Sequence, residues 1–233
     1  MTRRQLAVLS VLGASLVLIT CPASAEEPKA PPKADEGFVP LFNGQDLTNW
    51  VPNGPNQFKD KDGTEKDNWH AADGVLVCEA KKGVWLRSEK QYKNFVLKLE
   101  YRISKGGNSG VFVHCPAAGQ SSHLGREVQI LDCEGKPVNK GIAGSYYSVV
   151  APKKNMAKPY TEWNEYVITC NGSRFTIVMN GEETVNADLG DPTLAETCNK
   201  GFLPGLKSRE GYIGLQDHNS RVEFRNILIK VLP

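Results

Sequence analysis

No sign of charge dominates this chain, and that absence makes the first exclusion. Its 28 Lys+Arg face 26 Asp+Glu over 233 residues, a formal net charge of +2. A dedicated nucleic-acid binder carries a clustered basic excess that releases phosphate counterions, and this sequence has none. Metal signatures are missing too. No two of the six cysteines stand in Cys-x-x-Cys spacing, and neither His-x-x-x-His nor His-Glu-x-x-His occurs, so no zinc site is expected. Asp60-Lys61-Asp62-Gly63 spaces its oxygen donors suggestively, but no glutamate closes the loop, which rejects an EF-hand. Gly106-Gly107-Asn108-Ser109-Gly110 lacks the Lys-Ser/Thr ending and the following helix of a phosphate loop and reads as a tight turn between strands. Long amphipathic helices are lacking as well, none exceeding about two turns where helices average roughly 11–12 residues. No repeat of about 20–50 residues points to a propeller or solenoid.

What the chain does have begins with an export signal. Arg3 and Arg4 precede an apolar stretch from Leu6 to Ile19, and Ala23-Ser24-Ala25 supplies the small-residue cleavage pattern. The stretch is broken by Ser10, Gly13 and Ser15 and is short for a bilayer crossing of about 20 residues. A cleaved signal over residues 1–25 and a periplasmic or secreted location are therefore expected. An uncleaved anchor, and lipid attachment at Cys21 after Leu18-Ile19-Thr20, are the lower-ranked alternatives. Cleavage removes Arg3 and Arg4 and no acid, leaving 26 basic and 26 acidic side chains, a formally neutral mature chain. Residues 26–36 hold three prolines and no apolar periodicity and read as a solvated tether. One folded domain is expected over residues 37–233. Cys78, Cys115, Cys133, Cys170 and Cys198 remain in it, an odd number that leaves at least one thiol unpaired; buried thiols are the simplest reading for a domain this long.

Period-two alternation is the clearest structural signal. In Leu97-Lys98-Leu99-Glu100-Tyr101-Arg102-Ile103 the odd positions are apolar and the even ones charged, the pattern of a strand with one buried face. Weaker alternation marks Val111 to His114, Glu127 to Leu131 and Tyr166 to Cys170. Arg174 to Met179 followed by Asn180-Gly181 is a hairpin signal, because Asn-Gly accepts the positive φ angles of a type I′ turn. Tyr212 to Gln216 and Val222 to Val231 add two more strands, and a short helix is expected near Leu194 to Lys200. Many short strands between Gly, Pro and Asn turns predict an all-β fold, an antiparallel sandwich or jelly roll.

Seven segments then carry a resemblance. In order they are Leu41-Phe42-Asn43-Gly44-Gln45-Asp46-Leu47-Thr48-Asn49-Trp50, Gly107-Asn108-Ser109-Gly110-Val111-Phe112, Glu127-Val128-Gln129-Ile130-Leu131-Asp132, Glu162-Trp163-Asn164-Glu165-Tyr166, Asn180-Gly181, Gly211-Tyr212-Ile213-Gly214-Leu215-Gln216-Asp217-His218 and Val222-Glu223-Phe224-Arg225-Asn226-Ile227. Together they resemble the 3-keto-disaccharide hydrolase domain family, also described as 3-keto-glucoside 1,2-lyase and 3-keto-2-hydroxy-glucal hydratase domains, over about Gly37 to Leu232. The resemblance implies a concanavalin A-like, laminin-G-like β-sandwich and carbohydrate chemistry outside the cytoplasm. The strand Glu127 to Asp132 also looks like a diverged form of the Glu-x-Asp-x-x-Glu strand of family 16 glycoside hydrolases, which bulges before its last acid.

On a regular strand Val128 and Ile130 face the core, so Glu127 and Gln129 face the cleft, while Asp132 turns inward unless a bulge resets the register. A retaining hydrolase needs two carboxylates about 5–5.5 Å apart, and here the middle acid is Gln129 and the last the shorter Asp132. A 3-keto sugar requires less. Its ketone acidifies the proton on C2, so one base, one enolate stabiliser and a leaving glycosidic oxygen suffice. Glu127 is the first choice for the base, its alternative being a structural carboxylate paired to Arg126 or Arg225. His218 is its partner or competitor, since an imidazole can accept and donate a proton near neutral pH; its alternative is a capping residue of the Asp217-His218-Asn219-Ser220 loop. His114 is expected to line the same cleft, Asn108 and Gln129 to bind sugar hydroxyls, and Tyr146 or Trp163 to stack on a pyranose unless they fill the core. Arg225 is a candidate for the enolate oxygen. No cofactor is expected, although calcium-binding sandwich relatives leave a structural calcium open without a motif for it. A saccharide is the expected partner, and a separate oxidoreductase would have to supply 3-keto sugars. A noncatalytic carbohydrate-binding module is the competing class.

Overall fold

The fold is that of a computed structural model, which describes residues 37–119 and 121–233. The signal and tether expected over residues 1–36 lie outside the described residues. The described residues form fifteen strands: β1 (Val39–Pro40), β2 (Trp50–Pro52), β3 (Gln57–Lys59), β4 (Glu65–Asp67), β5 (Trp69–Ala72), β6 (Val75–Cys78), β7 (Leu86–Tyr92), β8 (Phe95–Ile103), β9 (Asn108–Cys115), β10 (Arg126–Leu131), β11 (Asn164–Asn171), β12 (Arg174–Met179), β13 (Glu182–Asp188), β14 (Gly211–Leu215) and β15 (Val222–Val231). One sheet runs β13-β12-β11-β8-β15-β6-β5 with β1 added beside β15, and a second runs β10-β9-β14-β7-β2. β3 and β4 form a separate hairpin. Every pairing is antiparallel. This is the expected sandwich of concanavalin A-like type.

Alternation builds the core. β8 alternates buried and half-buried residues along its whole length, and Leu97, Leu99 and Tyr101 share one hydrophobic cluster with Val111, Val128, Ile130, Ile213 and Leu215 of the other sheet. The β12–β13 turn carries Asn180 at φ 50° and Gly181 at φ 85°, the left-handed pair that a type I′ hairpin needs. The helix expected near Leu194 is α2 (Pro192–Thr197), capped by the Asp191 side chain on the Thr193 amide. Two short helical pieces were not apparent from the sequence, α1 (Ser121–Leu124) and α3 (Leu203–Lys207), the latter preceded by a 3-10 turn at Lys200–Phe202.

All five cysteines of the domain are free and buried. Burial pushes the thiols of Cys78, Cys115 and Cys170 up to about 12, so they stay protonated and pack as small apolar groups. No helix among the described residues is long and apolar enough to cross a membrane.

Candidate active site

β10 pairs with β9 without a register shift, from Arg126 opposite Val113 to Leu131 opposite Asn108. The strand's parity therefore holds. Val128 and Ile130 are fully buried in the core, and Glu127 and Gln129 turn to the other face of the sheet. There they line a cleft of about 420 Å³ with Asn108, His123, Tyr147, Asn199, Phe202, Gln216 and His218, a volume within the range of about 300–1,000 Å³ typical of small-ligand sites. A wider depression of about 610 Å³ lies beside the β3–β4 hairpin, lined by Lys59, Asp60, Lys66 and Glu79 among others. Among its acids Asp60 is tied to Lys66 at 2.8 Å and Glu79 to Arg221, and none is buried as Glu127 is, so size does not make it the better site.

Glu127 is 4% exposed and forms no ion pair among the described residues. The alternative of a salt bridge to Arg126 or Arg225 is thereby corrected. Arg126 points with the even residues into the core and donates to the carbonyls of Gly205 and Ser208. Desolvation pushes the Glu127 carboxyl up to about 7, partly opposed by a hydrogen bond from the Gln216 side chain. A buried acid titrating near neutrality in a cleft is the arrangement that proton transfer requires.

The carboxyl also needs room. It lies over Gly110, where a Cβ would sit 2.5 Å from Glu127 Oε1. Gln129 donates through Nε2 to Asn108 Oδ1 at 3.1 Å. Asp217 is 6% exposed and accepts from Asn68 Nδ2 at 3.0 Å, Gly83 N at 2.8 Å and Asn219 N at 3.0 Å; it fastens the turn that presents exposed His218 to the cleft.

The second wall is an irregular segment beside β10. Tyr147 N donates to Glu127 O at 2.9 Å and Gln129 N to Ser145 O at 3.2 Å, which covers the sheet edge. Tyr166 reaches across the core to brace it, donating to Gln129 O at 2.5 Å and accepting from Gly144 N at 2.8 Å. Ser148 holds φ 60° at the cleft wall, a left-handed conformation that non-glycine residues adopt at a cost. The third wall comes from α1 and the 3-10 turn, where His123 stacks on Phe202 at 4.5 Å and Tyr147 meets Phe202 edge-on at 5.7 Å.

Five expected residues lie elsewhere. His114 is 2% exposed and sits at φ 53°. There β9 carries one more residue than β14, Tyr212 pairing with Cys115 but Gly214 with Phe112. This bulge breaks the alternation and turns the imidazole into the sandwich, against Phe95 at 5.5 Å and with Nε2 2.8 Å from Lys93 O. Desolvation lowers His114 to about 3, so it is neutral. Asp132 follows the end of β10 and accepts from Gly106 N at 2.7 Å; with no bulge in β10 it does not join Glu127, and the two-carboxylate retaining pair is absent. Tyr146 is 1% exposed in the core against Phe175, and its neighbour Tyr147 lines the cleft instead. Trp163 lies on the outer face of the larger sheet beneath the Arg102 and Arg225 guanidinium groups. Arg225 pairs there with Glu100 at 2.8 Å, on the other sheet from the cleft.

Sequence reasoning missed Gln216, Tyr147, His123, Asn199 and Phe202. Gln216 had a usable signal, since Ile213 and Leu215 are core residues and alternation carries position 216 to the cleft face. No group of three or more His, Cys, Asp or Glu residues able to hold a metal occurs among the described residues.

Fold and site together define a concanavalin A-like β-sandwich with a cleft of small-ligand size on the outer face of its smaller sheet, floored by one buried acid among amides. More narrowly, the chain belongs to the 3-keto-alpha-glucoside-1,2-lyase-like domain family, whose model matches residues 37–230. It is 29% identical to a 3-keto-disaccharide hydrolase of Bacteroides thetaiotaomicron, the match covering 84% of this chain and 79% of that protein. Two Parabacteroides distasonis structures provisionally assigned as glycosyl hydrolases also match, each at 26% identity. One has a TM-score of 0.71 over 84% of this chain and 95% of the other, and the second 0.60 over 78% and 99%.

Proposed function

We propose that this protein is an exported carbohydrate-active enzyme that cleaves the glycosidic bond of 3-keto-glycosides, with Glu127 as the base. The observation that carries the reading is the Glu127 carboxyl, buried at the floor of a ligand-sized cleft, without an ion pair among the described residues and pushed up to about 7 by that burial. Family membership and the name of the Bacteroides relative support the substrate class. In this reading Glu127 removes the proton on C2 and the electron pair passes into the C3 carbonyl as an enolate. Collapse of the enolate expels the glycosidic oxygen from C1, leaving a C1–C2 double bond conjugated with the ketone. His218, on the turn that faces the cleft, gives the departing oxygen its proton. Water then adds its oxygen to C1 while C2 regains a proton, so the net change is hydrolysis without a glycosyl-enzyme. An oxidoreductase acting earlier supplies the ketone.

The test is incubation of the mature protein with 3-keto-trehalose or 3-keto-lactose, following enone or 3-keto-glucose release. Glu127→Gln should lower kcat by about 10²- to 10⁴-fold while leaving the fold intact. Absence of turnover with all such substrates, with plain glycans still bound, would instead make the cleft that of a noncatalytic binding module.

A further inference from the structure

Removal of the C2 proton places negative charge on the oxygen at C3, yet no lysine or arginine lines the cleft among the described residues. The charge has to be met by neutral donors. Two asparagine amides line the cleft with their carbonyl oxygens already engaged, which leaves their NH₂ groups outward. Asn199 accepts from Gly201 N at 3.1 Å but is exposed at the rim, at the start of the 3-10 turn. Asn108 belongs to the floor, on β9 directly beside β10. Its Oδ1 accepts from Gln129 Nε2, and Nδ2 has no protein partner among the described residues.

Gln129 is 3% exposed, and its own Oε1 is buried without a partner. Gln216 Oε1 is buried and unpartnered as well. A buried acceptor left unpaired is costly unless a ligand supplies the donor. Around Glu127 the cleft floor therefore holds one oriented donor, Asn108 Nδ2, beside two buried acceptors left unpaired, Gln129 Oε1 and Gln216 Oε1. A ketone flanked by two hydroxyl groups presents the complementary pattern, one acceptor between two donors. As the C3 oxygen becomes an enolate its demand for a donor rises, while the hydroxyl contacts change little, so the Asn108 contact strengthens in the transition state.

We infer that Asn108 is the catalytic donor that stabilises the enolate oxygen at C3, and that Gln129 is the positioning residue that keeps its NH₂ group turned to the substrate. This rests on the 3-keto-glycoside reading above. The experiment measures kcat and KM on 3-keto-lactose, together with exchange of the C2 proton for deuterium, which reports enolate formation directly. Asn108→Asp should lower kcat and C2 exchange by about 10²- to 10³-fold with KM changed far less. Gln129→Glu removes the NH₂ that holds Asn108 Oδ1, so the Asn108 amide turns over to donate to the new carboxylate and shows its oxygen to the substrate. It should match Asn108→Asp in kcat and exchange, whereas Gln129→Leu, which imposes no orientation, should lose distinctly less. Circular dichroism confirms that each variant folds. Full kcat in Asn108→Asp, or equal losses in the two Gln129 variants, would overturn the assignment while leaving Glu127 as base. A loss confined to Asn199→Asp would move the role to the rim and overturn it too. Absence of turnover and of C2 exchange in the unmodified protein would overturn both readings together.

Discussion

Gly110→Ala separates the placement of the Glu127 carboxyl from the stability of the fold. A Cβ at position 110 would lie 2.5 Å from Glu127 Oε1, 2.9 Å from Cγ and 3.1 Å from Cδ. Ordinary contact begins near 3.4 Å, so the carboxyl oxygen has to retreat by about 0.9 Å. The backbone resists sharing that movement, because β9 is paired on both sides, with β10 and with β14, and Gln216 N donates to Gly110 O at 2.9 Å. The side chain of Glu127 lines the cleft and can yield toward it, which keeps the stability cost within the usual range of overpacking, about 1–3 kcal/mol. Catalysis is less forgiving, since a misplacement of roughly 1 Å costs about 10²-fold in rate. The expected outcome is a folded variant with kcat on 3-keto-lactose down about a hundredfold, read beside a urea titration with unchanged slope. Turnover within about twofold of the parent, in a protein whose urea midpoint has barely moved, would refute the claim that this carboxyl is held in a working position.

Four other outcomes follow from the same geometry. Because burial raises Glu127 from its ordinary value of 4.5 to about 7 on folding, its contribution to stability is fully present below pH about 4.5 and is lost as pH rises through about 7; Glu127→Gln should be more stable than the parent at pH 8, by up to about 3 kcal/mol, and a parent curve flat from pH 4 to 8 would contradict the burial argument. As a base the same group should make kcat/KM rise with pH through about 7, and a rate that falls between about pH 5 and 7 would remove Glu127 from the role. Asp217→Ala leaves the Asn68, Gly83 and Asn219 donors without their acceptor, so it should cost about 2–4 kcal/mol in urea unfolding and lower kcat through the unfastened His218 turn; an unchanged kcat would take His218 out of the reaction. Trp163→Ala and Arg225→Ala lie on the other sheet and should leave kcat and KM within twofold, a result that a platform or enolate-binding role could not give.

The positions that were legible in the sequence are those governed by strand parity alone. Alternation in β8 gave its buried face, and the apolar pair Val128 and Ile130 was enough to turn Glu127 and Gln129 to the cleft. Parity failed wherever the chain departs from a regular strand. At His114 a single extra residue in β9 and a φ of 53° rotate the ring into the core, and nothing in Val111 to His114 announces that insertion. Choosing between Tyr146 and Tyr147 depended on a segment that runs beside β10 through isolated bridges and bends at Ser148, where a one-residue difference exchanges core for cleft. His123, Asn199 and Phe202 stand on helical pieces too short to show any periodicity. The acid and amide floor of the site was thus readable because regular β-structure builds it. The walls that shape the cleft were not, because irregular chain held by backbone bonds to β10 and by Tyr166 from the opposite sheet builds them. Substitutions on the floor should therefore act mainly on the chemistry, while substitutions in the walls should act mainly on which sugar enters.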